Sequence, residues 1–316
     1  MTLAAAGGSF DPQGPAARSM AELWWLMLVL GIAVFAFFAV LLAGGLLRRR
    51  RADADADAES MSGRRFTRWV VGGGVVMPVV VLVVVFAATV EAMRDVPARV
   101  PDGALVVDIV GHQWWWEVRY PGEGVTTANV LHLPVGRPVA LQLTSADVIH
   151  SFWVPALGGK LDLLPDGTNT LVLQADQAGE HRSNCAEFCG LQHAEMGLLV
   201  VAEAPDRFAA WIAGQREPAA EPVAATARRG QELFAGAGCA SCHTVQGTRA
   251  TGAGGPDLTH VASRPSIGAG VVPNTTADLA AWVEDPHTVK EGVGMPASKL
   301  SAEDLDAVVA YLETLR

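Results

Sequence analysis

The segment that decides the fold is residues 185–196, which read Cys-Ala-Glu-Phe-Cys-Gly-Leu-Gln-His-Ala-Glu-Met. Two thiols, an imidazole and a thioether occur here at close intervals, and a further histidine lies upstream. Mononuclear blue-copper sites use one cysteine, two histidines and a weakly bound methionine. A second thiolate on the same loop allows both sulfurs to bridge two copper ions. We therefore predict a dinuclear copper site on a β-sandwich, with the ligands His150, Cys185, Cys189, His193 and Met196.

Three other interpretations of this segment compete with the dinuclear site. A disulfide between Cys185 and Cys189 leaves the nearby imidazole and thioether unexplained, and the thioether also disfavours a zinc site. A single copper ion beside an uninvolved cysteine is the third alternative. We favour the dinuclear site over all three. The other histidines of this region lack such neighbours and are predicted to be structural: His112, His132 and His181.

The chain around this segment, residues 94–214, has the pattern of a β-sandwich or barrel. Short runs rich in β-branched and aromatic residues recur, and turns containing Pro, Gly, Asp or Asn separate them. Within one run, Trp114 and Trp116 are expected on one face of a strand and Trp115 on the other. The predicted strands are 104–110, 114–120, 139–144, 170–174 and 197–201.

A second motif, Cys239-Ala240-Ser241-Cys242-His243, has the Cys-x-x-Cys-His spacing that attaches haem covalently. Its two thiols can reach the two vinyl groups of the haem, and the adjacent imidazole can bind the iron. A redox-active dithiol and half of a zinc site are the alternatives. We disfavour both, because the surrounding segment is helical in pattern and the sequence contains no second Cys-x-x-Cys motif.

The sixth ligand of the haem iron is predicted to be Met295, which is the only methionine after Met196. A thioether ligand raises the haem potential, which suits a carrier that feeds a high-potential acceptor. Ligation by a second histidine, His260 or His287, is the competing interpretation and is disfavoured. Both histidines are otherwise expected to be ordinary polar residues at the surface.

The C-terminal third of the chain differs in pattern from the predicted sandwich. Residues 215–225 are rich in proline and alanine and are predicted to be an interdomain linker. Residues 226–316 are predicted to form an all-α domain. Ser301 and Asp304 have the spacing of a capping box, and apolar residues follow at helical intervals. The Gly- and Pro-rich stretch 244–274 suits a loop that wraps a prosthetic group.

The N-terminal part of the chain is strongly apolar. Residues 23–47 and 69–90 contain no charged side chain, and each run is long enough to cross a bilayer as a helix. Pro78 lies within the second run, where we expect a kink and not a break. We therefore predict a transmembrane helical hairpin over residues 23–93, preceded by an exported tail of residues 1–22.

Charged residues predict the orientation of this hairpin and exclude one class of partner. The only basic residue of the exported tail is Arg18. The loop between the two runs is strongly basic, with Arg48, Arg49, Arg50, Arg51, Arg64, Arg65 and Arg68. Basic loops stay in the cytoplasm, so both metal-binding domains are expected on the outer face. The first run is too long for a cleaved signal peptide, and its basic cluster lies on the wrong side. The formal net charge of −10 argues against a nucleic-acid partner and suits docking of a basic redox protein.

With these motifs in hand, the chain resembles subunit II of cytochrome c oxidase, and in particular the bacterial caa-type variant with a cytochrome c domain fused at its C-terminus. This resemblance rests on residues 185–196, called the copper loop below, and on residues 111–117, which read Gly-His-Gln-Trp-Trp-Trp-Glu. The resemblance covers nearly the whole chain. It implies a cupredoxin-like fold for residues 94–214 and a cytochrome c fold for residues 226–316, on the periplasmic face of a bacterial inner membrane.

The resemblance also implies roles for individual residues. The dinuclear site would be the CuA centre, with Glu187 contributing its backbone carbonyl to copper. The Glu187 carboxylate would help to hold a Mg²⁺ ion at the boundary with subunit I. Trp114 would be the tryptophan through which electrons enter.

Two segments depart from the pattern of the family. No acidic residue precedes Pro78 in the second apolar run, so the resemblance does not extend to a role in proton uptake. The common Pro-Gly-Arg-x-Asn turn is replaced by Pro-Asp-Gly-Thr-Asn at residues 165–169, which changes a possible contact with subunit I.

The function that the resemblance implies is electron delivery to an oxygen-reducing partner. Electrons would pass from cytochrome c or another periplasmic donor to the haem, then to CuA and on to subunit I, with subunit III also expected in the complex. Neither apolar run contains a histidine, so this chain has no ligand for a haem within the lipid bilayer. Two alternatives remain: a subunit of a CuA-containing nitric oxide reductase, and a free-standing membrane electron carrier.

Overall fold

The computed structural model describes residues 8–52, 63–95, 97 and 99–316. These residues form two compact units, one comprising the chain up to Ala17 together with the chain from Pro97 onward, and the other comprising Arg18–Val96. Part of the predicted cytoplasmic loop, residues 53–62, lies outside the described residues.

The smaller unit consists of the two predicted apolar helices, and both are longer than the uncharged runs that predicted them. Helix α1 is Pro15–Ala52, α2 is Gly63–Val71 and α3 is Met77–Ala92, with a single turn of π-helix at Gly72–Val76 joining the last two. By length and composition, Pro15–Arg49 and Thr67–Ala92 can each span a membrane. Helix α1 begins inside the predicted tail, so the last residues of that tail are helical.

The second apolar run does not break at Pro78: the helix passes through the π-helical turn and continues as α3, which contains the proline. The kink itself stays a prediction. Proline lacks an N–H group and its ring collides with the preceding turn of an α-helix, and a widened turn relieves both problems. Glycines fill this turn, and a Cβ atom on Gly73 would lie 3.9 Å from the ring of Phe37. The two helices therefore approach each other at the glycine-rich turn.

The copper-binding segment belongs to a two-sheet sandwich, as predicted. One sheet has the strand order β3-β2-β1-β5-β8 and the other β4-β10-β9-β6-β7. Inward and outward side chains alternate along most strands, which buries one face of each sheet in a shared core. The described strands are β1 Leu105–His112, β2 Trp115–Tyr120, β3 Val125–Ala128, β4 Val130–Pro134, β5 Val139–Ser145, β6 His150–Trp153, β7 Leu161–Leu163, β8 Asn169–Leu173, β9 Gly179–Cys185 and β10 Gly197–Glu203.

The tryptophan-rich strand differs from its prediction by one residue. Strand β2 begins at Trp115, so Trp114 lies in the preceding turn and shares no strand face with Trp116. Trp116 is fully buried in the core, and Trp115 stacks on His112 with ring centroids 4.2 Å apart. The indole of Trp114 is held instead by the copper loop, which keeps this residue out of the strand.

The chain just before α1 is attached to the sandwich. The backbone N–H of Gln13 donates to the Ala156 carbonyl at 2.7 Å, and the Asp176 N–H donates to the Gln13 carbonyl at 2.8 Å. A Cβ atom on Gly14 would lie 2.3 Å from the Gln174 carbonyl oxygen, so only glycine fits here. This part of the predicted tail is therefore packed on the sandwich.

The C-terminal domain is helical apart from a two-stranded ladder formed by Ser266–Ile267 and Val272–Pro273. Its first and last helices cross closely, and a Cβ atom on Gly230 would lie 1.9 Å from the Ala307 carbonyl oxygen. The predicted cap is confirmed, since the Ser301 hydroxyl accepts a hydrogen bond from the Asp304 N–H. After α4, Pro205–Gln215, which completes the sandwich domain, the helices are α5 Ala225–Gly236, α6 Thr276–Glu284, α7 Pro286–Val289 and α8 Ala302–Leu312.

The expectation that His260 is a surface residue is wrong. His260 is only 6% exposed, and its Nδ1 and Nε2 atoms lie 2.8 and 3.1 Å from the carbonyl oxygens of Arg316 and Glu217. The imidazole therefore ties the C-terminus to the segment between α4 and α5, a tertiary contact that its sequence neighbours do not reveal. His287 is exposed, as expected.

Candidate copper and haem centres

The predicted copper ligands come from two strands and the loop between β9 and β10. His150 is the first residue of β6, Cys185 is the last residue of β9, and Met196 directly precedes β10. Strands β6 and β10 both pair with β9, so the backbone hydrogen bonds of one sheet bring these three residues together. Cys189 and His193 lie on the loop between β9 and β10.

The structure gathers all five predicted side chains into one cluster. The Cys185 and Cys189 sulfur atoms are 3.7 Å apart. Nδ1 of His150 lies 3.9 Å from the Cys185 sulfur, and Nδ1 of His193 lies 3.7 Å from the Cys189 sulfur. The Met196 sulfur lies 3.9 Å from that of Cys189. The cluster thus offers one imidazole for each thiol and one thioether.

Two residues that the sequence analysis did not assign hold His150 in place. Oδ1 of Asp147 accepts a hydrogen bond from Nε2 of His150 at 2.8 Å, which leaves Nδ1 facing the thiols. A Cβ atom on Gly111 would lie 2.8 Å from the His150 ring, so only glycine fits behind it. The position of Asp147, three residues before a ligand histidine, is the signal that could have identified it.

The two thiols of the cluster differ in how easily they lose a proton. Burial disfavours the thiolate of Cys185, but hydrogen bonds from His150 and the Ser151 backbone outweigh it and lower the pKa of Cys185 to about 6. Burial and the neighbouring sulfur raise the pKa of Cys189 to about 12. The pair therefore gives up one proton easily and keeps the second. A site that must hold both sulfurs as thiolates needs bound cations to stabilise them.

The chemistry of the cluster fits copper. Both cysteines are free thiols and are buried, so the predicted alternative of a disulfide is not formed. Sulfur and imidazole donors in a buried site favour copper over harder metal ions. His150, Cys185 and Cys189 offer donor atoms that all lie within 4.8 Å of one another.

Trp114 and its neighbour Gln113 contact the backbone of the copper loop. Nε1 of Trp114 donates to the Cys189 carbonyl at 2.9 Å, and Nε2 of Gln113 donates to the same oxygen at 2.7 Å. Gly190 has a φ of +114°, and a Cβ atom there would lie 3.0 Å from the indole ring. The close approach of Trp114 to the loop therefore depends on a glycine.

Glu187 presents its backbone and its side chain in different directions. Its carbonyl oxygen lies 3.2 Å from the Cys185 sulfur, at the edge of the ligand cluster. Its carboxylate lies 3.9 Å from Nζ of Lys160 and is half-exposed. The predicted use of the carbonyl for copper and of the carboxylate outside the cluster is compatible with this arrangement.

The haem motif forms a short turn after α5. Cys239–Ser241 is a single 3₁₀ turn, and neither Cys239 nor Cys242 is bonded to another cysteine. Nδ1 of His243 donates to the Pro256 carbonyl at 2.8 Å, which leaves Nε2 free to bind iron. A Cβ atom on Gly255 would lie 2.7 Å from the His243 ring, so the loop needs glycine there.

One buried cation of this domain also fits a haem. The Nε atom of Arg264 is buried and has no hydrogen-bond partner among the described residues, while its Nη2 atom donates to the Asp257 carbonyl. Burial lowers the pKa of His243, which favours the neutral imidazole that binds iron. A haem carries two carboxylates, and one of them would satisfy this unpaired donor.

The three candidates for the sixth iron ligand differ in burial and in hydrogen bonding. Met295 is half-buried on the loop between α7 and α8. Both ring nitrogens of His260 face carbonyl oxygens, which disfavours that residue as a ligand. His287 is exposed at the start of α7, and its backbone N–H donates to the Asp285 side chain.

Comparisons with known proteins agree with both centres. The family model for cytochrome c oxidase subunit II, periplasmic domain, matches residues 123–203, and the model for cytochrome c matches residues 227–316. Cytochrome c oxidase subunit 2 of Alkalihalophilus pseudofirmus is 36% identical over 98% of this chain and 90% of its own length. The chain belongs to the cytochrome c oxidase subunit 2 family. The protein of the same name from Bacillus subtilis is 34% identical over 76% of this chain and 70% of its own.

Among solved structures, the periplasmic domain of subunit II of the cytochrome oxidase of Bradyrhizobium japonicum is 29% identical, with a TM-score of 0.36. It covers 37% of this chain and 97% of that domain. Family membership makes this chain a membrane-anchored subunit of an oxidoreductase complex, with a periplasmic domain, through which electrons enter. It works with subunit I, and its two domain matches indicate CuA and haem c. The alternatives of a nitric oxide reductase subunit and a free-standing carrier are not favoured by these relatives.

Proposed function

We propose that this chain takes electrons from a periplasmic donor at its cytochrome domain, residues 226–316, and passes them through its copper domain, residues 94–214, to subunit I. The linker is 215–225, and the hairpin 23–93 holds both domains at the periplasmic face of a bacterial inner membrane, with residues 1–22 exported. The single observation that carries the proposal is the cluster of two free thiols, two imidazoles and a thioether, of which only His193 is not fully buried. Subunit III and a cytochrome c donor are proposed members of the same system.

The residues of the copper cluster would hold two copper ions, which when bound accept and pass on one electron at a time. The thiols of Cys185 and Cys189 and the imidazoles of His150 and His193 would hold these ions. The Glu187 carbonyl and the Met196 sulfur would complete the site. Because the sheet holds His150, Cys185 and both ends of the loop that carries the other ligands, the ligands need to move little when the charge of the site changes, which favours fast transfer.

The haem would be held by thioether bonds from Cys239 and Cys242, and its iron by His243 and Met295. The hydrogen bond from His243 to the Pro256 carbonyl orients the imidazole. A methionine ligand raises the potential of such a group, which suits donation towards copper.

The carboxylate of Glu187 is proposed to share a Mg²⁺ ion with subunit I. The carboxylate is half-exposed and lies beside Lys160, so it is accessible from outside the domain. Glu187→Gln in the whole complex is expected to remove bound Mg²⁺ while leaving the copper spectrum in place, since only the carbonyl faces copper.

The function is tested by purifying the full chain from native membranes. We expect it to come with a haem-bearing subunit I and with oxygen consumption that depends on a reduced cytochrome c. Cys189→Ser should leave haem reduction by the donor intact and stop electron transfer to subunit I. Recovery of the chain without any haem-bearing partner would contradict the proposal.

A further inference from the structure

A lysine is buried where the cytochrome domain meets the copper domain. Lys290, at the end of α7, is 2% exposed. Its Nζ atom donates to the carbonyl oxygens of Trp114 at 2.8 Å, Glu195 at 2.6 Å and Gly268 at 2.8 Å. An ammonium group has three N–H donors, so all of them are used. Two acceptors belong to the copper domain and one to the cytochrome domain.

Two further hydrogen bonds surround this lysine and join the same two domains. Nε2 of Gln192, in the copper loop, donates to the Glu291 carbonyl at 2.7 Å. The N–H of Gly197 donates to the Ala269 carbonyl at 3.0 Å. Every one of these acceptors is a backbone carbonyl. The contact therefore depends on the backbone path of both domains and not on exposed charges.

The backbone on the cytochrome side adopts an unusual conformation to make this contact. Gly268, Ala269 and Gly270 all have positive φ, with Ala269 at +65°. A non-glycine residue rarely adopts this conformation unless its surroundings hold it there. Gly292 also has a positive φ, and a Cβ atom on it would lie 3.2 Å from the Leu191 side chain. The loops therefore fit each other closely at backbone level.

The contact is made by segments that carry proposed metal ligands of both centres. On the copper side it uses Trp114 and the loop between Cys189 and Met196. On the haem side it uses the segment that leads into Met295. Burial lowers the pKa of Lys290 to about 8. Burying an ammonium group costs free energy, and its three hydrogen bonds offset that cost.

We propose that Lys290 is a positioning residue that locks the cytochrome domain onto the copper loop and places Trp114 between this chain's own haem domain and its copper site. This inference rests on the proposed function. It assigns Trp114 to electron transfer inside the chain, and it assigns the meeting with an external donor to the cytochrome domain.

The lock is tested with the full chain in detergent, carrying both cofactors. Pulsed electron paramagnetic resonance measures the dipolar coupling between oxidised copper and ferric haem, and so the distribution of distances between them. We expect one narrow distribution in the wild type and a broad one in Lys290→Met, which removes all three donors. Flash reduction of the haem should show transfer to copper slowed by about 10- to 100-fold, because such transfer depends on a fixed geometry.

Lys299→Met is the matched control, since Lys299 lies in the same domain and is exposed. It should leave both the distance distribution and the transfer rate unchanged. Should Lys290→Met fail to bind both cofactors, Lys290→Gln replaces it: the amide has only two N–H donors, so at least one of the three carbonyls loses its partner and the distribution should still broaden. A broad distribution in the wild type, or a narrow one in the Lys290 variant, would overturn the lock. Absence of the copper or haem signal from the wild type would instead contradict the proposed function.

Trp114→Leu provides a second readout on the same preparation. It should slow copper reduction after the flash and leave unchanged the second-order rate at which external reduced cytochrome c reduces the haem. A fall in that second-order rate would mean that the external donor docks at Trp114, and the assignment of this residue to internal transfer would be wrong.

Discussion

The copper and haem centres of this chain are built in different ways. Four copper ligands are buried and His193 is half-buried. Strands β6 and β9, with the loop that joins β9 to β10, bring neighbouring sulfur and nitrogen atoms of these ligands within 3.7–3.9 Å. The haem ligands lie on a single turn and on a distant loop. Cys242 is exposed and Met295 is half-buried.

This difference shows how much of each centre the polypeptide arranges by itself. The copper site is prearranged, because strand pairing fixes the directions of His150 and Cys185 and holds both ends of the loop that carries the other ligands. The haem site is shaped by glycines and one histidine hydrogen bond, and its ligands lie on loops and not on paired strands. Changes to the two centres should therefore have separable effects.

The largest expected effect is the loss of the dinuclear copper signal in Cys185→Ser. Without two thiolates, a pair of copper ions cannot share one electron, so the electron paramagnetic resonance spectrum should lose its dinuclear pattern completely. Haem attachment should be unchanged. In the reciprocal variant, Cys242→Ala, the copper spectrum should persist. A copper spectrum that disappears in Cys242→Ala would break the separation between the two centres.

The next effect concerns the haem alone. Met295→Leu should leave the haem covalently attached and remove the methionine-ligated optical spectrum, with a lower reduction potential because the thioether is lost. The comparison variant is His260→Gln, which should keep that spectrum, since both His260 nitrogens already face carbonyl oxygens. The opposite pair of results would establish ligation by two histidines.

A smaller effect tests whether the copper site is prearranged. Gly111→Ala should displace His150, because the new Cβ atom would lie 2.8 Å from its ring. We expect the copper domain to lose about 1–3 kcal/mol of unfolding free energy and to bind copper more weakly, as measured by denaturation and metal titration. Gly122→Ala is the control, since nothing lies within 4 Å of its Cβ position. Equal behaviour of the two variants would show that the ligands are not held rigidly.

The smallest effect concerns the inner face of β9, away from copper. Both ring nitrogens of His181 are buried without a hydrogen-bond partner among the described residues, and burial lowers its pKa below the ordinary 6.5. The unfolded chain therefore takes up a proton that the folded chain resists, and stability falls as the pH drops below about 6.5. His181→Leu should remove this loss and stabilise the domain by about 1 kcal/mol at pH 5. Thermal unfolding at pH 5 and 7.5 measures the difference, and a variant with the wild-type pH dependence would contradict it.

Sequence spacing alone predicted the ligand sets, because each motif is largely local. The copper loop and the Cys-x-x-Cys-His turn hold most of their ligands within a few residues, and the residue types restrict the chemistry. Apolar run length likewise predicted the two helices of the hairpin. The resemblance to the oxidase subunit, confirmed by the relatives, added CuA and the partner.

Only the tertiary structure showed which residues hold these ligands in place and how the copper and cytochrome domains contact each other. Asp147 and Gly111 act on His150, His260 is buried between the linker and the C-terminus, and Trp114 lies outside its predicted strand. Lys290 is separated from its Trp114 acceptor by 176 positions. All of its acceptors are backbone carbonyls, which every residue carries, so no side-chain pattern can reveal them. Only the folded course of the chain brings them to one ammonium group.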